Sequence, residues 1–479
     1  MLGSLGMAGC EKQLDINDNP NLPTSVAPEL VLPAGTANMA YVLGGQFQIV
    51  GGLWAQYWTQ NYVQNQYKEQ DKYNINQNTF DTPFVTLFAG AQQDFQFVID
   101  RAKGDSSNYA AIAGLEQAFT YQLLSDAYDR VPFSEALKGR DNTKPVYDQG
   151  PAIYDGVIRL IDASVGKINT ATTVDVGAQD IVFGGDMDKW RRFANTLKLR
   201  MYLRQIYVRR TEAEAGIRGL YTANAQFLGP DEDAQISVFT TTNKNGNPLY
   251  LTELYGGSAI KENLIGSATI INYLNSTNDP RVDDYYDRPG NSATAAHVGT
   301  LQGAAGVPGA PAPAISTRSR PDLVNILGPT APVILISGAE SQFLQAEAAL
   351  YGFAGAATPN ALYESGIDAS FARLGRAVPA GFLASTPITL ANATTVEAKL
   401  DRIITQKWVS MTGSQSFEAW SELRRTNYPS FIVPSASSSL LPGVIANRFQ
   451  YPATESARNP NTPRLEQTEK PVWWDVKPL

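Results

Sequence analysis

The chain has 479 residues, 38 Lys and Arg against 46 Asp and Glu, one histidine and one cysteine. A net charge of −8 argues against a general nucleic-acid binder, and one histidine leaves histidine catalysis and multi-histidine zinc sites almost no material. A lone cysteine cannot form an internal disulfide, no window approaches the roughly 18 apolar residues of a membrane span, and the length is ample for a large core.

The cysteine is Cys10, preceded by small and apolar residues (Leu5, Gly6, Met7, Ala8, Gly9) and followed by Glu11, Lys12 and Gln13. Small residues before a cysteine let a signal peptidase take the chain in extended form and leave a thiol able to carry lipid. The pattern resembles a bacterial lipobox with Cys10 as the acylated residue. Residues 1–10 then form a short signal peptide without a positive start. Residues 11–33, broken by Pro20, Pro23, Pro28 and Pro33, read as a flexible tether, and residues 34–479 as a single domain.

Helical spacing predicts long helices over residues 35–65, 79–103, 107–128, 153–168 and 190–210. In the last of these Trp190, Phe193, Leu197 and Met201 share one stripe. Its cations (Lys189, Arg191, Arg192, Lys198, Arg200, Arg204, Arg209, Arg210) read as arginines and lysines snorkelling around that stripe. Later helices carry Ala339-Phe343-Ala346-Leu350, Tyr363-Ile367-Phe371-Leu374, Leu400-Ile403-Ile404-Trp408-Met411 and Phe417-Trp420-Leu423. Small residues such as Ala346, Gly366 and Ala369 suit helix crossings of the tetratricopeptide kind, although no strict 34-residue repeat is present. Residues 228–254, with a short strand at 236–239, residues 287–321 and the tail 426–479 read as irregular. The predicted fold is mainly α: helix pairs carrying an irregular, loop-rich layer.

Sugars stack their C–H faces on aromatic rings while amides and carboxylates bond their hydroxyls. The densest such stretch is residues 54–73, WAQYWTQNYVQNQYKEQDKY. On a helix Trp54, Trp58 and Tyr62 share a face; Trp54 reads as core, Trp58 as a weaker ligand candidate, and Tyr67, Asp71 and Tyr73 as ligand candidates beyond the helix end. Tyr285 and Tyr286 join them from a polar cluster spanning Asp279 to Asp287, whose alternative is a solvated helix end. Asp231-Glu232-Asp233 reads as a solvated turn. Asp15-x-Asn17-x-Asn19 lacks the Gly and the final Glu of a calcium loop. No metal site, cofactor or catalytic residue is predicted, and no local signature marks a carboxylate pair for glycoside hydrolysis.

Five motifs in order give a more specific reading. DAYDRVPFSEA (126–136), NDPR (278–281), SGAESQFLQAEAALY (337–351), ITQKWV (404–409) with FEAWSELRRTNYP (417–429), and RFQYP (448–452) with Glu455 and Asn459 resemble the motifs of SusD/RagB-like outer-membrane lipoproteins. Asp129 stands where that family has a glycine. The resemblance implies a SusD-like fold, lipid anchoring on the outer membrane facing the exterior, and capture of oligosaccharides, or of peptides as in RagB-like relatives. It also implies delivery to a SusC-like TonB-dependent barrel. A glycoside hydrolase and a helical scaffold for protein partners are the alternatives. Glu340, Glu347, Trp408, Trp420, Arg424 and Arg425 read as scaffold that holds helix pairs and tail together.

Overall fold

A computed structural model describes residues 26–242, 244–254, 262–353, 355 and 357–477; Cys10 and most of the expected tether lie outside them. The first helix, Pro28–Gly44, begins seven residues earlier than expected, with Pro28 at its first position, where the missing N–H costs nothing, and Pro33 one turn further in. The expectation that both prolines break the chain fails at Pro28 for that reason, while Pro33 is carried inside the helix without its i→i−4 hydrogen bond. The next helix stops at Trp54, and Trp58–Gln60 is a strand, so Trp54, Trp58 and Tyr62 do not share a helical face.

The described residues hold four helix pairs. They are Ser107–Tyr128 with Gly150–Val165, Met187–Arg204 with Arg210–Thr222, Gly338–Leu350 with Pro359–Arg373, and Val396–Ser410 with Ser416–Thr426. Each pair packs on the next in chain order. Local signals set their ends. Asp186, Ser337, Thr358 and Thr395 cap four N-termini by accepting backbone N–H bonds. Small residues let the third pair close: a Cβ on Gly366 would lie 2.8 Å from the Phe343 ring. The last helix of the series also packs on Gln46–Trp54, joining the helical stack to the N-terminal helices.

Charge, as well as apolar contact, welds the stack. Arg200 and Arg204 of the second pair are fully buried rather than snorkelling. Arg200 binds Glu340 of the third pair, and Arg204 binds Asp126 of the first (3.3 Å) and Glu418 (2.5 Å) and Glu422 of the fourth. Arg425 bridges Glu347 and Glu422, each at 2.7 Å, and Lys407 lies 3.1 Å from Glu422. Burial pushes Glu422 up, but Arg425, Lys407 and Arg204 outweigh it and hold the carboxyl well below its usual range. The acids that answer Arg200 and Arg204 come from other helices, which is why the helix alone looked unpaired. The scaffold role expected of Glu340, Glu347, Arg424 and Arg425 fits this network.

The tail closes over the stack. Trp420 donates its indole N–H to the Ala446 carbonyl (2.8 Å), and Arg424 lies over Trp420 and Trp474. Phe449 of RFQYP stacks on Phe80, and Arg448 and Tyr451 both donate to the Tyr128 carbonyl. Asp129 takes φ +75°, the conformation a glycine takes without strain, and its carboxylate accepts the Trp473 N–H at 2.8 Å.

Loops form the second layer. It contains short antiparallel strand pairs: Trp58–Gln60 with Leu264–Gly266, and Tyr286–Asp287 with Arg320–Pro321. A further pair, Ala234–Ile236 with Val333–Ile336, ends one residue into the strand expected at 236–239. The loop after residue 287 threads between these pieces, with Ser319 O accepting from Gly266 N and Gln302 O from Ala436 N.

Candidate functional site

The amide- and aromatic-rich stretch after Trp54 lies in the loop layer, tied down by one carboxylate. Asp71 accepts from the Thr59 hydroxyl (2.6 Å), the Gln60 N–H (3.1 Å) and the Gln302 amide (2.5 Å). Gln302 also donates to the Leu53 and Trp58 carbonyls. Burial pushes Asp71 up to about 6, against the pull of those hydrogen bonds.

The structure corrects the exposure expected of the six ligand candidates. Trp58, Tyr67, Asp71, Tyr73, Tyr285 and Tyr286 are all buried. Trp58 donates to the Ile49 carbonyl and packs on Gly52. Tyr67 donates to Glu253, and burial and that carboxylate raise its pKa. Tyr73, at φ +63°, accepts the Ser435 N–H, and Tyr286 donates to the Tyr57 carbonyl at 2.7 Å. Tyr285 packs beneath the loop layer, burial raising its pKa. Polar tips that find partners inside the protein let Trp58, Tyr67, Tyr73 and Tyr286 fill the seam between the two layers. Tyr67 and Tyr286 still wall surface depressions of about 280 and 630 Å3 respectively.

The Asp279–Asp287 cluster is divided between a buried part and a part, Asp283, Tyr286 and Asp287, that lines the larger depression. Asp279 and Arg281 form a buried pair, from which Arg281 donates to Ser370 and Gln406 of the helical stack and lies over Phe371. Asp283 accepts from Arg288 and lies 2.8 Å from His297, and Asp284 pairs with Arg376. Glu232, expected in a solvated turn, binds Arg192 through both oxygens. Among the described residues no three His, Cys, Asp or Glu side chains are grouped to hold a metal ion, and no helix is long and apolar enough to cross a membrane.

A further surface of the loop layer lies at the edge of its first strand pair. Tyr62 is half-buried, its hydroxyl raised by burial and lowered by the neighbouring Arg318. The Arg318 Nε is buried and, among the described residues, has no hydrogen-bond partner, and its guanidinium reaches only the Thr317 carbonyl, at 3.4 Å. Beside it Arg320 pairs with Glu262 (2.6 Å), Asn61 donates to the Glu262 carbonyl, and Asn263 donates to Gln66. The half-buried Tyr62 ring and the Arg318 guanidinium make a surface that can stack on a ligand face and bond its polar edge, with the buried Asn61 and Asn263 bracing it from behind. Arg318 was missed because its neighbourhood is assembled from segments some 250 residues apart in sequence.

The SusD-like family whose description reads starch-binding, associating with outer membrane, matches residues 20–452. Among solved structures the chain is similar to a chitin-binding protein at 25% identity and TM-score 0.78, over 94% of this chain and 100% of that one. It is also similar to a SusD homologue from Bacteroides uniformis, at 23% identity and TM-score 0.78 over 93% and 99% of the two chains. A chitin-binding SusD homologue from Flavobacterium johnsoniae is 22% identical, with TM-score 0.77 over 93% and 99%. No curated protein matches the chain. With its helix pairs, its loop layer and a match over nearly its whole length, the chain belongs to the SusD-like family.

Proposed function

We propose that this protein is a cell-surface binding protein, without catalytic chemistry of its own, that captures oligosaccharides and delivers them to a TonB-dependent SusC-like barrel in the outer membrane. The observation that carries the reading is the family match over residues 20–452. The chitin-binding proteins of like fold support a glycan as cargo. Lipid on Cys10 would anchor the protein to the outer membrane facing the exterior, and residues 11–27 would serve as its tether.

The face around Tyr62 and Arg318 suits the task. Stacking and hydroxyl hydrogen bonds are individually modest, so a free oligosaccharide should bind with roughly micromolar to millimolar Kd. A ligand held between this protein and the barrel gains contacts from both, so the complex should bind it more tightly than the isolated protein does.

The experiment is affinity purification of the full-length protein from native membranes, followed by titration of the isolated protein and the complex with candidate hexasaccharides. Recovery of a TonB-dependent barrel and tighter binding by the complex are expected. Failure to recover a barrel, with equal affinity in both forms, would reject delivery and leave a simple surface binder.

A further inference from the structure

Among the described residues two aromatic rings stand exposed, Tyr41 at 54% and Phe431 at 39%. Phe431 stacks on Tyr273 at 5.1 Å. Tyr41, near the end of the helix Pro28–Gly44, makes no ring contact, hydrogen bond or ion pair with any described residue. It also forms a wall of two adjoining depressions at once. One, about 280 Å3, is lined by Gln46, Gln66, Tyr67, Gln70, Thr82 and Thr252. The other, about 340 Å3, is mostly apolar, with Ile236, Val238, Phe239 and Leu251.

The polar groups of the first depression are only partly used. Gln46 donates to the Thr79 carbonyl at 2.6 Å, which leaves its own carbonyl oxygen free. Gln66 bonds the Tyr67 hydroxyl and accepts from Asn263. The Gln70 side chain makes no hydrogen bond with any described residue; only its backbone carbonyl is engaged, by the Trp54 indole. An unpartnered ring between an amide wall and an apolar wall matches the two-sided chemistry of a pyranose: stacking C–H face, hydroxylated edge. A flat protein contact would not need free amides set back in a cleft.

We propose that Tyr41 is the stacking platform of a second oligosaccharide subsite, with Gln46, Gln70 and Thr82 bonding the sugar hydroxyls. It adjoins the Tyr62–Arg318 edge through the Asn263–Gln66 hydrogen bond and takes a neutral chain of one or two residues per depression, since among the described residues no charged group lines the amide cleft and Lys244 is the one cation at the apolar depression. This rests on the oligosaccharide reading of the whole protein.

Calorimetric titration of the full-length protein with chitohexaose, maltohexaose and cellohexaose, beside Tyr41→Ala, Tyr41→Phe and Tyr62→Ala, tests it. For a hexasaccharide that the wild type binds, Tyr41→Ala should weaken binding about tenfold, the loss of one ring stack with its buried area, while Tyr41→Phe keeps most of the affinity. The ring is exposed, so the melting temperature should not move. Unchanged affinity in Tyr41→Ala, with binding lost in Tyr62→Ala, would overturn the second subsite and leave the oligosaccharide reading intact. Loss of barrel recovery in Tyr41→Ala with sugar affinity unchanged would overturn it in favour of a protein contact. If the wild type binds none of the three sugars, the subsite falls together with the reading it rests on.

Discussion

Arg200 and Glu340 meet side-on in the dry centre of the helical stack, with Arg200 Nε and Nη2 donating to the two carboxylate oxygens at 2.8 and 2.6 Å. They come from helices 140 residues apart in sequence, and each is otherwise surrounded by charge of the network that joins all four helix pairs. Both partners have left water, so the attraction mostly repays desolvation rather than adding a large surplus. The relationship is therefore most visible when broken.

Glu340→Gln should destabilise the fold by about 3–5 kcal/mol, because Arg200 and Lys407 lose a buried counter-charge. Urea unfolding checks this. A loss under 1 kcal/mol would mean that the network tolerates an unpaired guanidinium, and that apolar packing alone sets the order of the helices.

Tyr285→Ala should lower the melting temperature strongly, in keeping with about 3–5 kcal/mol for removing a buried aromatic ring. Tyr73→Phe removes only a hydroxyl that accepts the Ser435 N–H and should cost about 1 kcal/mol. If either variant melts like the wild type yet loses sugar binding, the ring reaches ligand and its burial here is not the state that binds.

The helical half of this protein was readable from its sequence, and the loop half was not, for a physical reason. Stripes such as Trp190-Phe193-Leu197-Met201 carry their own period, and caps such as Ser337 and Thr358 sit beside the helices they start. The motifs around Glu340, Trp408, Trp420 and Arg425 were legible as scaffold for the same reason. In the loop layer, by contrast, Asp71 is defined by Thr59 and Gln302, and Tyr286 by the Tyr57 carbonyl. A ring rich in polar neighbours looks like a ligand platform until the long-range partner of its hydroxyl is known. Tyr41 drew no notice, because one tyrosine at the end of an apolar helix carries no pattern.

Gly51→Ala should cost about 1–3 kcal/mol, the usual range for overpacking. A Cβ there would lie 2.5 Å from the Phe417 backbone nitrogen, and backbone cannot swing aside as a flexible side chain can. This is where Gln46–Trp54 packs on the last helix of the stack, so the cost should appear as cooperative loss of the whole domain in thermal unfolding. A separate early transition would show instead that the N-terminal helices form an independent unit.

The acid limb of the stability curve should carry two opposing signatures. Burial raises Asp71 and Asp475 each to about 6, against roughly 3.9 in an unfolded chain. Between pH 4 and 6 the folded state therefore holds more protons than the unfolded state at these sites. Their contribution to stability is full below pH 4 and falls as pH rises to 6, by up to about 3 kcal/mol per group. Glu418 and Glu422 run the other way: their cationic neighbours outweigh burial and hold them low, so their contribution is present above pH 4.5 and lost as pH falls below it. Asp71→Asn keeps an oxygen for Thr59 and Gln60 but cannot ionise. Relative to the wild type it should gain stability from pH 4 to about pH 6 and then level off, read as the difference between their urea midpoints. A pH-independent difference would mean that Asp71 is already ionised at pH 4, its hydrogen bonds from Thr59, Gln60 and Gln302 having overcome the cost of burial.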